Sequence, residues 1–89
     1  MVHHQPMDPG AIESLIEKNI PGAKAQASDL RGGDHFGVTV VSPSFEGCSM
    51  VEKHRMIYQA LGDAMKSDIH ALTIEALTPD EYAEQGAGE

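Results

Sequence analysis

Apolar positions in the first third of the chain follow the spacing of a helix. Asp8 and Pro9 suit the N-cap and the first helical position. Pro21-Gly22 marks the end of the segment. Between these limits one apolar face is predicted, formed by Ile12, Leu15, Ile16 and Ile20. The pattern predicts an amphipathic first helix.

Two strand patterns follow this helix. Small apolar and polar residues alternate from 23 to 28, and residues 29–34 form a turn that contains Gly32-Gly33. Residues 35–41 give the strongest strand pattern, with Phe36, Val38 and Val40 on one face. Two strands separated by a glycine-containing turn predict an antiparallel hairpin.

The centre of the chain predicts a long helix after a connecting turn at 42–48. Ser49 and Glu52 have the spacing of a capping box, in which each side chain accepts from the other residue's amide. The helix is expected to reach about Met65. Its apolar stripe is predicted to contain Val51, Ile57, Tyr58, Leu61 and Met65.

A third strand and a last helix complete the pattern. Residues 69–76 alternate, with Leu72, Ile74 and Ala76 on one face. Thr78 to Glu81 forms a second capping box, which opens a short helix around Tyr82 that ends before Gly86.

The predicted order is α-β-β-α-β-α in one compact α/β (α+β) domain with a three-stranded mixed sheet and helices packed on it. The helical crossover makes the second and third strands parallel. His35 and His70 begin these two strands, so both are expected at the same end of the sheet. We expect a flexible leader at 1–8, the folded domain at 9–84 and a flexible tail at 85–89.

Composition narrows the function classes. The formal net charge is −8, from six basic and fourteen acidic residues, which opposes binding to nucleic acid and to anionic membranes. One cysteine allows no internal disulfide, and neither a membrane span nor a secretory signal is predicted. These features favour a soluble cytoplasmic protein. Because phosphate-loop, zinc and nucleophile-elbow motifs are absent from the sequence, we expect a protein that is not an enzyme.

Three stretches of the sequence resemble the BolA family. The first is Asp34-His35-Phe36 with the valines after it, and the most specific is the run from Phe45 to Leu61, which contains Lys53-His54-Arg55. The third runs from Ile69 to Ile74 and continues into Leu77-Thr78-Pro79 and Glu81. Together they extend over nearly all of the predicted domain.

This resemblance implies a fold related to type II KH domains and a function. BolA-like proteins pair with monothiol glutaredoxins and share a bridging 2Fe–2S cluster, with thiolates from the partner and its glutathione. The family serves iron–sulfur cluster trafficking and iron sensing. The isolated chain is expected to be a monomer or a weak homodimer.

The resemblance also suggests two metal ligands. His70 matches the family histidine that ligates the shared cluster, and a neutral imidazole can replace thiolate in 2Fe–2S centres. Asp34-His35-Phe36 resembles a histidine subclass in which His35 is the second candidate ligand. From the residues alone, a hydrogen-bonded strand-edge histidine is the favoured interpretation of His70, which the resemblance reverses, and His35 could equally be a solvated turn residue.

The long helix carries a second candidate surface. Lys53 and Arg55 flank His54 and could meet an acidic partner or a phosphate, or simply form a solvated helix face. His54 is interpreted as a packed, hydrogen-bonded helix residue. Cys48 receives no ligand role. The alternative function is a KH-like nucleic-acid-binding transcriptional regulator, although the G-x-x-G loop of KH domains is missing from the sequence.

Overall fold

The computed structural model describes residues 8–32, 35–67, 69 and 71–87. Four α-helices and three strands are described, with one turn of 3-10 helix after the second strand, at Pro43–Phe45. In chain order the elements are α1 (Pro9–Asn19), β1 (Lys24–Arg31), β2 (His35–Val41), α2 (Met50–Leu61), α3 (Ala64–Ser67), β3 (Ala71–Leu77) and α4 (Pro79–Ala87). This is an α+β domain of the predicted class, with α3 as an additional short helix.

The sheet has the order β1-β2-β3. β1 pairs with β2 antiparallel, from Lys24 opposite Val41 to Arg31 opposite His35. β2 pairs with β3 in parallel, from His35 beside Ala71 to Val41 beside Leu77. The predicted hairpin and the predicted parallel crossover are both confirmed.

One face of the sheet packs against α1 and α2. Ile12 and Ile16 of α1 and Ile57 of α2 are fully buried in a cluster with Phe36 and Val40 of β2. Because successive strand residues point to opposite faces, the other face carries the intervening positions. That outer face includes Thr39 and Glu75, whose side chains lie 3.4 Å apart, and is contacted by α4 through Gln85, which donates to Glu75 at 3.2 Å. The core therefore lies on one side only.

Local hydrogen bonds explain where two helices begin. Ser49 Oγ accepts from the Glu52 amide at 3.1 Å, and Glu52 accepts from the Ser49 amide at 2.8 Å. Thr78 and Glu81 make the same reciprocal pair at α4. Both predicted capping boxes are thus confirmed. Asp8, in contrast, makes no side-chain cap bond at α1.

Three sequence predictions differ from the structure in extent. β1 continues to Arg31, and the turn tightens at Gly32, which has φ 67°. The helix expected to reach Met65 ends at Leu61, because Gly62 adopts φ 55° and stops it before α3. α4 extends to Ala87, beyond the predicted end of the last helix before Gly86.

The buried stripe of α2 also differs from the predicted one. Ile57 and Leu61 are buried as expected, but Lys53 and Ala60 complete the buried face. Val51 and Tyr58 are 63% and 43% exposed. Tyr58 lies about 100° around the helix from Ile57, and Val51 about 120° on the same side. They belong to a separate, outward-facing stripe.

Within the described part of the chain, no helix has both the length and the apolar character needed to cross a bilayer.

Candidate functional site: the sheet end at His35 and the outer face of α2

His35 occupies the first position of β2 and is half-buried. It pairs with Arg31 of β1 on one side and with Ala71 of β3 on the other. One residue from each of the three strands therefore lies side by side at this end of the sheet. Since Phe36 points into the core, His35 points to the outer face. The local geometry gives His35 a defined strand position in place of a solvated turn.

His70, the other predicted ligand, lies outside the described residues, so its role as a ligand stays a prediction. Its chain neighbour Ala71 is the parallel register partner of His35. Neighbouring strands in a sheet lie about 4.8 Å apart. The beginnings of β2 and β3 are therefore adjacent, as the predicted topology required.

The described residues do not by themselves provide enough ligands for a metal ion. No group of three or more His, Cys, Asp or Glu side chains in that part of the chain could hold a metal ion. A shared centre needs only some of its ligands from each protein, and an imidazole donor is chemically suited to replace thiolate on iron. The described residues do not form a complete metal site, and His35 is the imidazole donor they offer at this end of the sheet.

Cys48 lies far from this end of the sheet. It follows the C-terminal end of β2, whereas His35 begins the strand, and seven residues of strand span about 23 Å. Its thiol is within 3.6 Å of the Ser44 carbonyl oxygen. Cys48 therefore lies near the opposite end of β2 from His35.

Lys53 does not contribute to an open basic surface. The sequence had allowed such a surface, formed with Arg55, to meet an acidic partner or a phosphate. Its side chain is 9% exposed, and Nζ donates to Oε1 of Glu81 at 3.2 Å. The Thr78 amide donates to the same Glu81 oxygen at 2.8 Å. The Thr78 amide, followed by the Lys53 ammonium, holds the pKa of Glu81 below its ordinary value. Lys53 thus joins α2 to the start of α4.

His54 packs as expected, but without the expected hydrogen bond. Its ring is half-buried on α2, and Nε2 is buried with no hydrogen-bond partner among the described residues. Arg55 is exposed and lies close enough to Glu52 to contribute to lowering the pKa of that carboxyl, after the larger effects of the Ser49 amide and hydroxyl. Of the predicted basic surface, Arg55 is the exposed cation and His54 its half-buried neighbour.

An exposed apolar stripe on α2 was missed by the sequence analysis. Met50 and Val51 are 64% and 63% exposed, and Tyr58 is 43% exposed. With Arg55 and Asp63 they border a shallow groove of about 620 Å³ that also includes His54, Gln59 and Gly62. A helical wheel centred on Ile57 would have placed Val51 and Tyr58 outside the buried face, whereas Met50, only about 20° from Ile57, is exposed at the first position of α2. Exposed apolar stripes of this kind are typical of protein-binding surfaces.

The direction of α2 determines which end of the groove lies nearer to His35. Twelve helical residues span about 18 Å, and α2 starts beyond the C-terminal end of β2 and precedes β3. Because β2 and β3 are parallel, α2 must run back toward the end where both begin. The Gly62 end of the groove therefore lies toward the His35 end of the sheet.

Comparisons with a family model, with known proteins and with solved structures point to the same family. Residues 16–81 match the family model for BolA-like protein. BolA-like protein 1 of Mus musculus is 44% identical over 82 residues, which cover 83% of this chain and 60% of the mouse protein. SufE-like protein 1 of Arabidopsis thaliana, described as chloroplastic/mitochondrial, is 50% identical over 50 residues, covering 56% of this chain and 14% of that protein. The chain thus spans only part of these relatives.

A solved structure supports the same relationship. The structure of a BolA protein homologue from Coxiella burnetii superposes with a TM-score of 0.78 at 38% identity, covering 86% of this chain and 97% of that one. The family match, the mouse relative and this shared fold together show that the chain belongs to the BolA-like family.

Proposed function

We propose that this protein is a non-enzymatic partner of a monothiol glutaredoxin, with which it co-ligates a bridging 2Fe–2S cluster in iron–sulfur cluster trafficking or iron and redox regulation. The observation that carries the proposal is the parallel register of His35 with Ala71. It brings the start of β2 beside the residue that follows His70. Family membership supports the same role.

His70 and His35 are the residues we assign to the cluster, in the manner of the histidine subclass. Each imidazole would supply a neutral nitrogen donor, and the glutaredoxin and its glutathione would supply thiolates. In this proposal the chain contributes only part of the ligand set, and the partner completes it. Because a ligating nitrogen must be unprotonated, acid should weaken the shared centre.

The outer face of α2 is the protein-binding surface in this proposal. Its apolar stripe of Met50, Val51 and Tyr58 leads toward the His35 end of the sheet. Apolar and aromatic side chains with an arginine nearby are the residues enriched at protein interfaces. A glutaredoxin seated against this stripe would reach the sheet end with its thiolates.

The alternative, nucleic-acid binding, has less support from the described residues. Lys53 is paired with Glu81, and the net charge is −8. Neutralising phosphates requires available Lys and Arg side chains. Gel binding at two salt concentrations distinguishes the two functions. A complex with DNA or RNA at low salt, without glutaredoxin binding, would replace our proposal.

The proposal is tested by mixing this chain with a monothiol glutaredoxin, iron, sulfide and glutathione, and recording visible absorption and circular dichroism. We expect a heterodimeric cluster spectrum that His70→Ala alters strongly and His35→Ala alters less. Gln26→Ala is the control, because Gln26 is exposed on β1 and borders neither the α2 groove nor the His35 end of the sheet. An unchanged spectrum in His70→Ala would remove it as a ligand, and no co-purification with the glutaredoxin would reject the proposed function.

A further inference from the structure

The two edges of the sheet differ in their hydrogen bonding. On the free side of β1, the Ala25 amide donates to Glu17 at 3.0 Å and the Ala27 amide donates to Glu13 at 2.8 Å. Both carboxylates come from α1. Two amides that would otherwise be available to another strand are therefore satisfied within the chain, and in this sense the edge is closed: its Ala25 and Ala27 donors are blocked.

β3 forms the opposite edge. The Ser42 amide donates to the Leu77 carbonyl at 3.1 Å, so Leu77 directs its backbone groups toward β2. Alternation along a parallel strand then directs the amides and carbonyls of Leu72, Ile74 and Ala76 away from the sheet. Among the described residues, no side chain or neighbouring backbone bonds these outward groups. In contrast to β1, this edge is open.

The side chains of β3 are compatible with a second copy of the same strand. Leu72 and Ile74 are half-buried at the rim of the core face, whereas Thr73 and Glu75 are exposed on the outer face. In an antiparallel pair centred on Ile74, Leu72 faces Ala76 of the second copy. Thr73 then faces Glu75 of the second copy, so a hydroxyl donor meets a carboxylate and like charges do not meet.

We propose that β3 is a self-association edge, at which two copies of this chain pair antiparallel about Ile74 and join their sheets into one of six strands. In this register the outward backbone groups of Ile74 face those of Ile74 in the other copy, and the outward backbone groups of Leu72 face those of Ala76. The pairing is isologous, so every contact is made twice. The inference is independent of the proposed glutaredoxin function.

We assign a second copy to this edge because β3 is self-complementary in this register, with Leu72 opposite Ala76 and Thr73 opposite Glu75. The net charge of −8 on each copy opposes association. The complex is therefore a weak dimer that forms at high protein concentration, and added salt strengthens it by screening this repulsion.

Charge substitutions at Thr73 test the register directly. Sedimentation velocity of the full chain should show a monomer–dimer equilibrium that Thr73→Lys tightens and Thr73→Glu weakens. Each substitution acts at two cross-strand pairs, which corresponds to about 2- to 30-fold in Kd. Ser28→Lys and Ser28→Glu are the matched controls, because Ser28 is exposed on the same face of β1 and each control changes the net charge equally.

Amide exchange gives a second measurement on the unmodified chain. As the protein concentration rises, the amides of Leu72, Ile74 and Ala76 should become protected, whereas those of Thr73 and Glu75, which already face β2, should not. A single monomeric species at roughly 1 mM would overturn the proposal. Equal responses to the Thr73 and Ser28 substitutions would also overturn it.

Discussion

Lys53 on α2 and Glu81 on α4 form an ion pair with Nζ and Oε1 3.2 Å apart, although their side chains differ in exposure, at 9% and 48%. The pair connects the central helix to the cap of the last helix, because Glu81 also accepts from the Thr78 amide. A buried ammonium needs its partner more than the half-exposed carboxylate does.

A double-mutant cycle measures this coupling. We expect Glu81→Ala to lower the urea midpoint of unfolding clearly, since it leaves the Lys53 ammonium without its carboxylate and removes a cap. Lys53→Met keeps the buried stem and should have the smaller effect. In the double variant, the loss should be less than the sum of the single losses. Strict additivity would mean that the contact contributes nothing.

Stability should decrease in acid through Glu81 and Glu52. Amide donation, from Thr78 and Ser49 respectively, lowers the pKa of each carboxyl in the folded protein. A depressed folded pKa gives stability that is present above the ordinary glutamate pKa of about 4.3 and is lost as the pH falls through the folded value. Glu81→Gln should therefore flatten the stability profile below about pH 4.3. Glu84→Gln is the control, because Glu84 is exposed on the same helix and is not a cap residue. An equal change in both variants would contradict the assignment.

Ser42 is a buried polar residue whose removal should destabilise the fold. Its hydroxyl donates to the Pro21 carbonyl at 2.8 Å and accepts from the Ser44 amide at 3.0 Å. Ser42→Ala should lower the free energy of unfolding by about 1–3 kcal/mol. Ser44→Ala is a matched control, because the half-buried Ser44 donates to the same carbonyl at 2.9 Å through a hydrogen bond that is exposed. A larger loss in the control would reject the argument from burial.

The α2 stripe gives a prediction that rests on the proposed function. Val51→Lys should weaken glutaredoxin binding, measured by calorimetry, by about 5-fold or more, without changing the unfolding midpoint. Leu30→Lys is the control, since Leu30 is similarly exposed, at 59%, but lies over Gly37 of the sheet. Equal weakening by both variants would place the interface elsewhere.

The Glu13 and Glu17 carboxylates should each protect one amide of β1. In hydrogen exchange followed by NMR, Glu13→Ala should accelerate exchange at Ala27 and leave Ala25 nearly unchanged. Glu17→Ala should do the reverse, so each variant controls for the other. If either substitution accelerates both amides equally, the effect is general fraying of the strand.

The sequence predicted those parts of the fold that depend on local signals. Both capping boxes and the period-two pattern of β2 are local, and the crossover between β2 and β3 follows from its length. The stripe of α2 was predicted incorrectly because residue type was taken as a guide to burial. Lys53 is buried because Glu81, 28 residues away, supplies its counter-charge, and no helical period reveals that contact.

The candidate site, like the fold, could be predicted from the sequence only in part. The adjacency of the starts of β2 and β3 follows from the element order and is confirmed at His35 and Ala71. The ligand roles of His35 and His70 came from the family resemblance and stay predictions. The carboxylates that close the β1 edge could not be anticipated, because they depend on how α1 lies across that strand.

The closed β1 edge also limits how many copies of the chain can associate by pairing their strands. A strand-to-strand contact can propagate into a fibril only if each added molecule presents a fresh free edge to the next one. Here Glu13 and Glu17 leave β1 without two of the donors that such growth would require. Contact through β3 would use the other edge of the sheet, so any growth by sheet extension beyond two chains would have to proceed without the Ala25 and Ala27 donors of β1.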